Sequence, residues 1–290
     1  MAVVLIASTE DPASENIKKS LLEQSNWIEK EQFQDSPIFQ HLKMKDVLIV
    51  TIQDRKIFHE NLDKEIENEL GIKPKQAIFL SRHTSKMGQP SLTVHPLGNY
   101  GKAEFGGKAR TLVRSSPRLM TELLRLIKKN VKQTNLDYKV CYEVTHHGPY
   151  LDIPTMFVEV GSTEKEWNQT EPATVIAKSL LKLLQSYHYE QDMSNDIPVL
   201  IGIGGGHYAP RFTDVILERN AAFGHMIPAY HIEAGNIDYK MIEKAIEATP
   251  NVKGIYLHKK ALKKSQITEY RQFFQERGIP VVSSKELPAL

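Results

Sequence analysis

The stretch "PVLIGIGGGHYAPRFTD", residues 198–214, decides how the rest of the chain is read. It starts as an unbroken apolar run, passes through three consecutive glycines, and ends at a proline followed by residues that suit a helix. A strand that is apolar at every position is one covered on both faces, which points to a parallel or mixed sheet lying between helices. The same order repeats outward from this point. Short β-branched runs at 2–8, 46–52, 76–81, 138–145, 155–161, 226–232, 254–258 and 279–283 join 198–204 as expected strands. Apolar residues at helical spacing mark 14–24, 59–70, 117–133, 173–187, 239–248 and 261–277 as helices, with Ser116 as N-cap and Pro117 as first residue of the third. The expected fold class is therefore α/β: a mostly parallel or mixed central sheet with helices on both faces. Residues 1–290 are expected to form one domain, built as a single unit or as two closely packed lobes. Only 82–110 resists, being rich in Gly, Pro and polar residues with room for a short hairpin around "SLTVHP". Irregular segments of that length tend to be functional.

The 290 residues are 41% apolar with a net charge of +2, enough for a substantial core and too mild a field to mark a nucleic-acid binder by charge alone. Two local clusters, "RLIKKNVK" at 125–132 and "HKKALKK" at 258–264, read as solvated helix faces or as phosphate contacts. No run approaches the ~20 apolar residues of a bilayer span, and "MAVVLIAS" lacks the basic flank of a secretion signal. The single cysteine, Cys141, excludes an internal disulfide and a cysteine-only metal cluster. A cytoplasmic protein without a membrane segment is expected.

Polar residues overlaid on the strands give the chemistry. His83, the pair His146 and His147, Glu159, His207, and His231 with Glu233 each fall at or near the carboxyl end of an expected strand. Ligands of open α/β sheets bind outside those ends, so remote side chains can converge there. His41, His59, His188 and His225 read as structural or exposed. Imidazoles joined by a carboxylate such as Glu143 or Glu159 form a donor set for Zn²⁺ with a position left for water. Bound water acidified toward pKa ~7 would supply hydroxide. No HExxH supports this, and a metal-free scheme stays open, with histidine as general base and glycine-turn amides around the oxyanion. Thr84, Ser85 and Ser162 lie near the same region without a G-x-S-x-G elbow, and Cys141 reads as a buried, inert thiol.

The glycine turn contains a partial dinucleotide fingerprint at Gly204, Gly206 and Ala209. Pro210 and the long separation to Glu233 count against it. Gly204, Gly205 and Gly206 offer bare backbone to a phosphate or oxyanion instead, with His207 and Arg211 beside them.

Three segments, "SRHTSK" (81–86), "VTHHGPYLDIPTMFVEVGSTEKEW" (144–167) and "GIGGGHYAPRFTD" (202–214), resemble the archaeal and plant type of D-aminoacyl-tRNA deacylase, and the similarity extends over nearly the whole chain. The resemblance implies a hydrolase that cleaves the ester between a D-amino acid and tRNA in translation quality control. It also implies bound zinc, a monomer, and a fold related to phosphorylases, peptidyl-tRNA hydrolase and some peptidases. It does not supply the metal ligands. Strand-end placement suggests His83, His146, Glu159 and His207 for the metal, and His83, His146, His147, His207 and Arg211 for catalysis. Lys86, Thr84, Gly204, Gly205, Gly206 and Tyr208 are expected to meet the substrate, with Tyr150 or Tyr208 stacking on adenine. A zinc peptidase or amidohydrolase acting on small acyl amides would use the same pocket, and a non-catalytic RNA-binding module would need none of the histidines.

Overall fold

The computed structural model describes residues 2–186 and 197–290. Its strands, in chain order, are β1 (Ala2–Ser8), β2 (Trp27–Phe33), β3 (Ser36–His41), β4 (Val47–Ile52), β5 (Pro74–Thr84), β6 (Ser91–Pro96), β7 (Gly98–Asn99), β8 (Thr111–Leu112), β9 (Lys139–Tyr142), β10 (Thr155–Ser162), β11 (Val199–Ile203), β12 (Ala222–Ile227), β13 (Val252–Leu257) and β14 (Val281–Val282). Eight of them form a mixed sheet in the order β2-β3-β4-β1-β5-β10-β6-β9, and four form a parallel sheet in the order β12-β11-β13-β14. The α/β class with a mixed central sheet is the one the strand and helix periodicities imply. No helix among the described residues is long and apolar enough to cross a membrane.

Alternation along the central strands explains their unbroken apolar runs. Val3, Leu5, Ile49, Ile78, Leu80, Met156 and Val158 face one core, and Val4, Ile6, Val50, Phe79 and Phe157 face the other. The first core is closed by the helices Pro12–Gln24, Pro117–Val131 and Thr170–Leu184, which contribute Ile17 and Leu21, Leu123 and Ile127, and Ile176 and Leu180. The helix Leu62–Leu70 closes the second through Leu62 and Ile66. Each such side chain contributes roughly 1.5–3 kcal/mol by leaving water, so truncating one to alanine costs about 2–5 kcal/mol. Leu200, Phe223 and Met226 of the four-stranded sheet belong to the first core as well, so the two sheets share buried apolar surface.

Four local expectations are corrected. The hairpin β2–β3 has no counterpart among the expected strands, because β2 exposes five consecutive residues and lacks an apolar face. The segment 82–110 holds a full strand, β6, antiparallel to β10 and parallel to β9. The expected strand 226–232 is β12 ending at Ile227, after which Pro228 opens the short helix Ala229–Glu233; proline cannot continue a ladder. Ser116 stands at the N-cap position but gives its hydroxyl to Gln76 Oε1 (2.7 Å), both residues being fully buried. Residue 187 of the expected helix 173–187, and His188, lie outside the described residues.

Candidate active site

On the face that carries Phe79 and Phe157, four adjacent strands change character toward one end. Odd-numbered positions run Phe79, Ser81, His83 on β5 and Phe157, Glu159 on β10. They run Thr93, His95 on β6, and Cys141 on β9 with Glu143 just beyond it. Strand side chains alternate faces, so these residues share one surface. His146 and His147 follow on the same loop as Glu143. His207 arrives from the second sheet, where Val144 N donates to His207 O (2.9 Å) and Thr145 N to Met226 O (3.1 Å).

Glu143 is the centre of this cluster and is fully buried. His207 Nε2 lies 2.9 Å and His146 Nε2 3.4 Å from its Oε2, and His83 Nδ1 lies 3.1 Å from its Oε1. Glu159 Oε2 lies 3.4 Å from His83 Nδ1 and 3.8 Å from His95 Nε2. These approaches are close without being aligned: neither oxygen of Glu143 accepts a hydrogen bond, and Nε2 of the fully buried His95 donates none. Burial opposes charge on His83, but Glu143 and Glu159 outweigh it and carry the imidazole up to about 11. Burial also opposes charge on His95, and Glu159 again prevails to raise it. The carboxylates answer in kind. Against the pull of burial, His207 and His83 hold Glu143 well below the usual range, and His83 and His95 bring Glu159 down to about 2. Burial and the charge on His95 push His146 and His147 below the ordinary imidazole value, His147 to about 4.

Three overlapping groups place donor atoms within 4.8 Å of one another: His83, Glu143 and His207; His95, His146 and His147; and His95, Glu143 and Glu159. A cavity of about 400 Å³ opens over them. His83, His146, His147, His207 and Glu159 all line it, so these four of the five imidazoles placed at strand ends in the sequence meet, and His231 does not join them. Thr84 reaches its rim, and Tyr208 donates or accepts at His83 Nε2 (3.0 Å) beneath the Lys139 ammonium, 4.5 Å from its ring. The strand-end reasoning needs one correction. Because β6 is inserted antiparallel, β9 runs opposite to β5 and β10, and the cluster sits over the sheet face, not along one rim.

Other expected site residues lie elsewhere. Arg211 is tethered to the second sheet, Nε to Tyr256 OH (2.9 Å) and Nη2 to Ser284 Oγ (3.0 Å), so its guanidinium is spent away from the cavity. Lys86 is exposed beyond the rim. Gly204 and Gly205 adopt φ of +99° and +98° and back onto His258, where a Cβ on Gly204 would meet its carbonyl oxygen at 3.2 Å. Their freedom shapes a turn that presents His207. His231 bonds Asn236, and His225 is buried in β12. Sequence reasoning gave Glu143 only as an alternative to Glu159 and did not single out His95. Cys141 is buried, its thiol pushed up to about 12 by burial first and Glu143 second.

A mixed α/β sheet bearing buried carboxylates among five imidazoles, open to a ligand-sized cavity, defines an enzyme with a histidine–carboxylate centre of the hydrolytic kind. The family model described as D-aminoacyl-tRNA deacylase matches residues 70–282. The chain is 37% identical over 282 residues to the D-aminoacyl-tRNA deacylase of Thermococcus kodakarensis, covering 96% of this chain and 98% of that one. It is 42% identical over 230 residues to the D-aminoacyl-tRNA deacylase of Pyrococcus horikoshii, covering 78% and 80% respectively. The chain belongs to the D-aminoacyl-tRNA deacylase family. A crystal structure of a conserved protein of unknown function shares its fold with a TM-score of 0.87 at 29% identity, over 99% of this chain and 96% of that one.

Proposed function

We propose that this chain hydrolyses the ester bond of D-aminoacyl-tRNA, releasing the free D-amino acid and tRNA, with zinc held in the histidine–carboxylate cluster. One observation carries the chemistry. A carboxylate stripped of water ordinarily collects hydrogen bonds. Glu143 instead meets His83, His146 and His207 at 2.9–3.4 Å and accepts none from any of them. Such a donor set, turned inward and unaligned for hydrogen bonding, fits an N/O-ligated cation. His95, His146 and His147 reinforce the fit by directing Nδ1 at the carbonyls of Pro96 (3.2 Å), Val144 (2.7 Å) and Gly148 (2.6 Å). An imidazole whose Nδ1–H is committed to a carbonyl keeps its Nε2 lone pair for a ligand. The residues that would hold the ion are therefore His83, Glu143 and His207, with His95, His146, His147 and Glu159 adjoining. Bound there, zinc polarises an ester carbonyl and acidifies water.

The chain's own groups do the rest. Tyr208 fixes the His83 ring through Nε2 while Nδ1 turns to Glu143. His207, its side chain 35% exposed, is the member of that set that faces the open cavity. Arg55, Lys56 and Arg82 also line the cavity, a suitable surface for the polyanionic end of tRNA. The working unit on this reading is a monomer, acting in the cytoplasm where aminoacyl-tRNA is used.

Metal analysis combined with deacylation of matched D- and L-aminoacyl-tRNA tests this reading. Zinc is expected to copurify, chelation to abolish turnover of the D-substrate, and added zinc to restore it. Glu143→Gln, which keeps shape and loses charge, should cost on the order of 100-fold or more in turnover and in metal retention. Full activity without bound metal would overturn the cofactor; equal or faster turnover of small acyl amides would overturn the substrate.

A further inference from the structure

Between β7 and β8 the loop carries a ring that the core does not claim. Phe105 is 61% exposed, yet it lines the same cavity as His146, His147 and His207. An exposed phenylalanine forgoes most of the roughly 1.5–3 kcal/mol that burial would contribute. The backbone beneath it is nevertheless fixed. Gly148 N donates to Phe105 O (3.0 Å), Asn99 Nδ2 to Gly106 O (2.8 Å), and Gly107 N to Glu60 Oε1 (2.5 Å). Gly106, at φ +74°, lies so close to the carbonyl of Ile57 that no Cβ would fit. The ring is thus displayed on a held loop, and rigid display lowers the ordering cost of binding.

Neighbouring rings are already engaged. The Tyr208 ring carries Lys139 at 4.5 Å, Tyr150 carries Lys108 at 3.5 Å, and Phe58 carries Arg55 at 4.9 Å. Phe105 has no ring or cation partner among the described residues. Two cations share its cavity in a similar position. Lys56 is neutralised by Asp11 at 2.6 Å, but Arg55 and Arg82 form no ion pair among the described residues, their guanidinium groups resting on Phe58 and Trp167. Arg82 Nη1 also donates to the backbone carbonyl of Glu10 (3.5 Å), a residue that lines the cavity with Asp11 and Glu159. An open aromatic face in the same cavity as two guanidinium groups that have no carboxylate partner among the described residues suits a nucleotide: the ring takes the base and the forks take the phosphate.

We propose that Phe105 is the stacking platform for the terminal base of the tRNA 3′ end, with Arg55 and Arg82 gripping the adjoining phosphate. The inference rests on the deacylase reading above. Stacking accepts any π-face, so the contact anchors the acceptor end without reading sequence, and it replaces the tyrosine contacts expected from the sequence alone. Steady-state kinetics of wild type, Phe105→Ala and Phe105→Trp on D-aminoacyl-tRNA and on a D-amino acid ethyl ester test it, together with calorimetric titration by AMP. Phe105→Ala should raise KM for the tRNA substrate on the order of 10- to 100-fold and weaken AMP similarly. Phe105→Trp should restore both, and the ethyl ester, with nothing to stack, should shift less than about 2-fold. Unchanged KM and AMP affinity in Phe105→Ala, or equal losses on both substrates, would overturn the proposal. Wild-type protein that binds AMP through Phe105 yet fails to deacylate D-aminoacyl-tRNA would instead overturn the deacylase reading.

Discussion

Replacing Asp11 with alanine should unsettle the basic wall of the cavity by a calculable amount. Asp11 Oδ2 holds Lys56 Nζ at 2.6 Å with both side chains under 8% exposed, and accepts Arg82 N at 2.9 Å. Its Oδ1 caps the helix Pro12–Gln24 through Ser14 N at 3.0 Å. Losing the partner of a buried charge costs about 3–5 kcal/mol, a lost cap about 1, and an orphaned buried amide about 1–3. The three share one carboxylate and do not add, so about 5 kcal/mol is the working figure. For 290 residues, an unfolding entropy of roughly 2.1 cal/mol/K per residue converts this into a fall in Tm of about 8 °C. Burial already pushes the Lys56 ammonium below its ordinary value, against the pull of Asp11. Without Asp11 it falls further, so in alkaline solution the unfolded chain keeps a proton that the folded chain has lost. Stability then rises with pH, and the deficit should shrink between pH ~8 and ~10. Calorimetric melts at both ends of that range read the effect, with Asp11→Ala/Lys56→Met as the companion in which no charge is stranded. A single variant melting within about 2 °C of wild type, or a double variant no better than the single, would refute the reasoning.

His225 is fully buried between Thr145 Oγ1 (3.0 Å) and Val113 O (2.9 Å), and burial pushes its pKa down to about 4. Between there and the unfolded value near 6.5 only the unfolded chain binds the proton, so stability is full above about pH 6.5 and falls by about 3 kcal/mol by pH 4. Chemical denaturation across that range should show a flatter profile for His225→Gln; parallel profiles would place the acid sensitivity elsewhere. Arg211→Ala should change kcat/KM for deacylation less than about 2-fold, because its hydrogen bonds run to Tyr256 and Ser284. A 100-fold loss would return that guanidinium to the cavity.

How much of this was legible in sequence depends on what each strand packs against. β1, β4, β5 and β10 declare themselves because both faces are buried along most of their length, leaving apolar runs such as AIFL at 77–80 and MFV at 156–158. β2, "WIEKEQF", has no such signature; it is held by its ladder to β3 at the sheet edge, an interaction of backbone groups that any side chains permit. β6, "SLTVHP", is entirely buried yet reads as loop, since Gln89 and Pro90 precede it and Leu97 leads straight into the Gly98 turn. His95 was hidden with it. A periodic signal was nonetheless present: Ile78 and Leu80, Leu92 and Val94, and Met156, Val158 and Val160 are apolar at even positions of β5, β6 and β10, while the odd positions between them turn polar toward one end. Reading Thr93 and His95 as one face of a strand, as Ser81 and His83 can be read, would have found the fifth imidazole.

The direction of β6 is what converts scattered histidines into a centre. In a wholly parallel sheet, residues after successive strands gather outside one edge, on loops and in water. With β6 reversed and β9 parallel to it, Glu143 and His146 return across the sheet toward His83 and Glu159, and the donors meet over packed strands. Glu143 can then be fully buried, at a desolvation cost tolerable only while its imidazole neighbours stay in place. One of those neighbours, His207, is delivered by the second sheet through the bonds Val144 N to His207 O and Thr145 N to Met226 O. Docking of the second sheet and completion of the site are thus one physical event. The carboxylate that serves the chemistry also penalises any conformation in which that docking is loose.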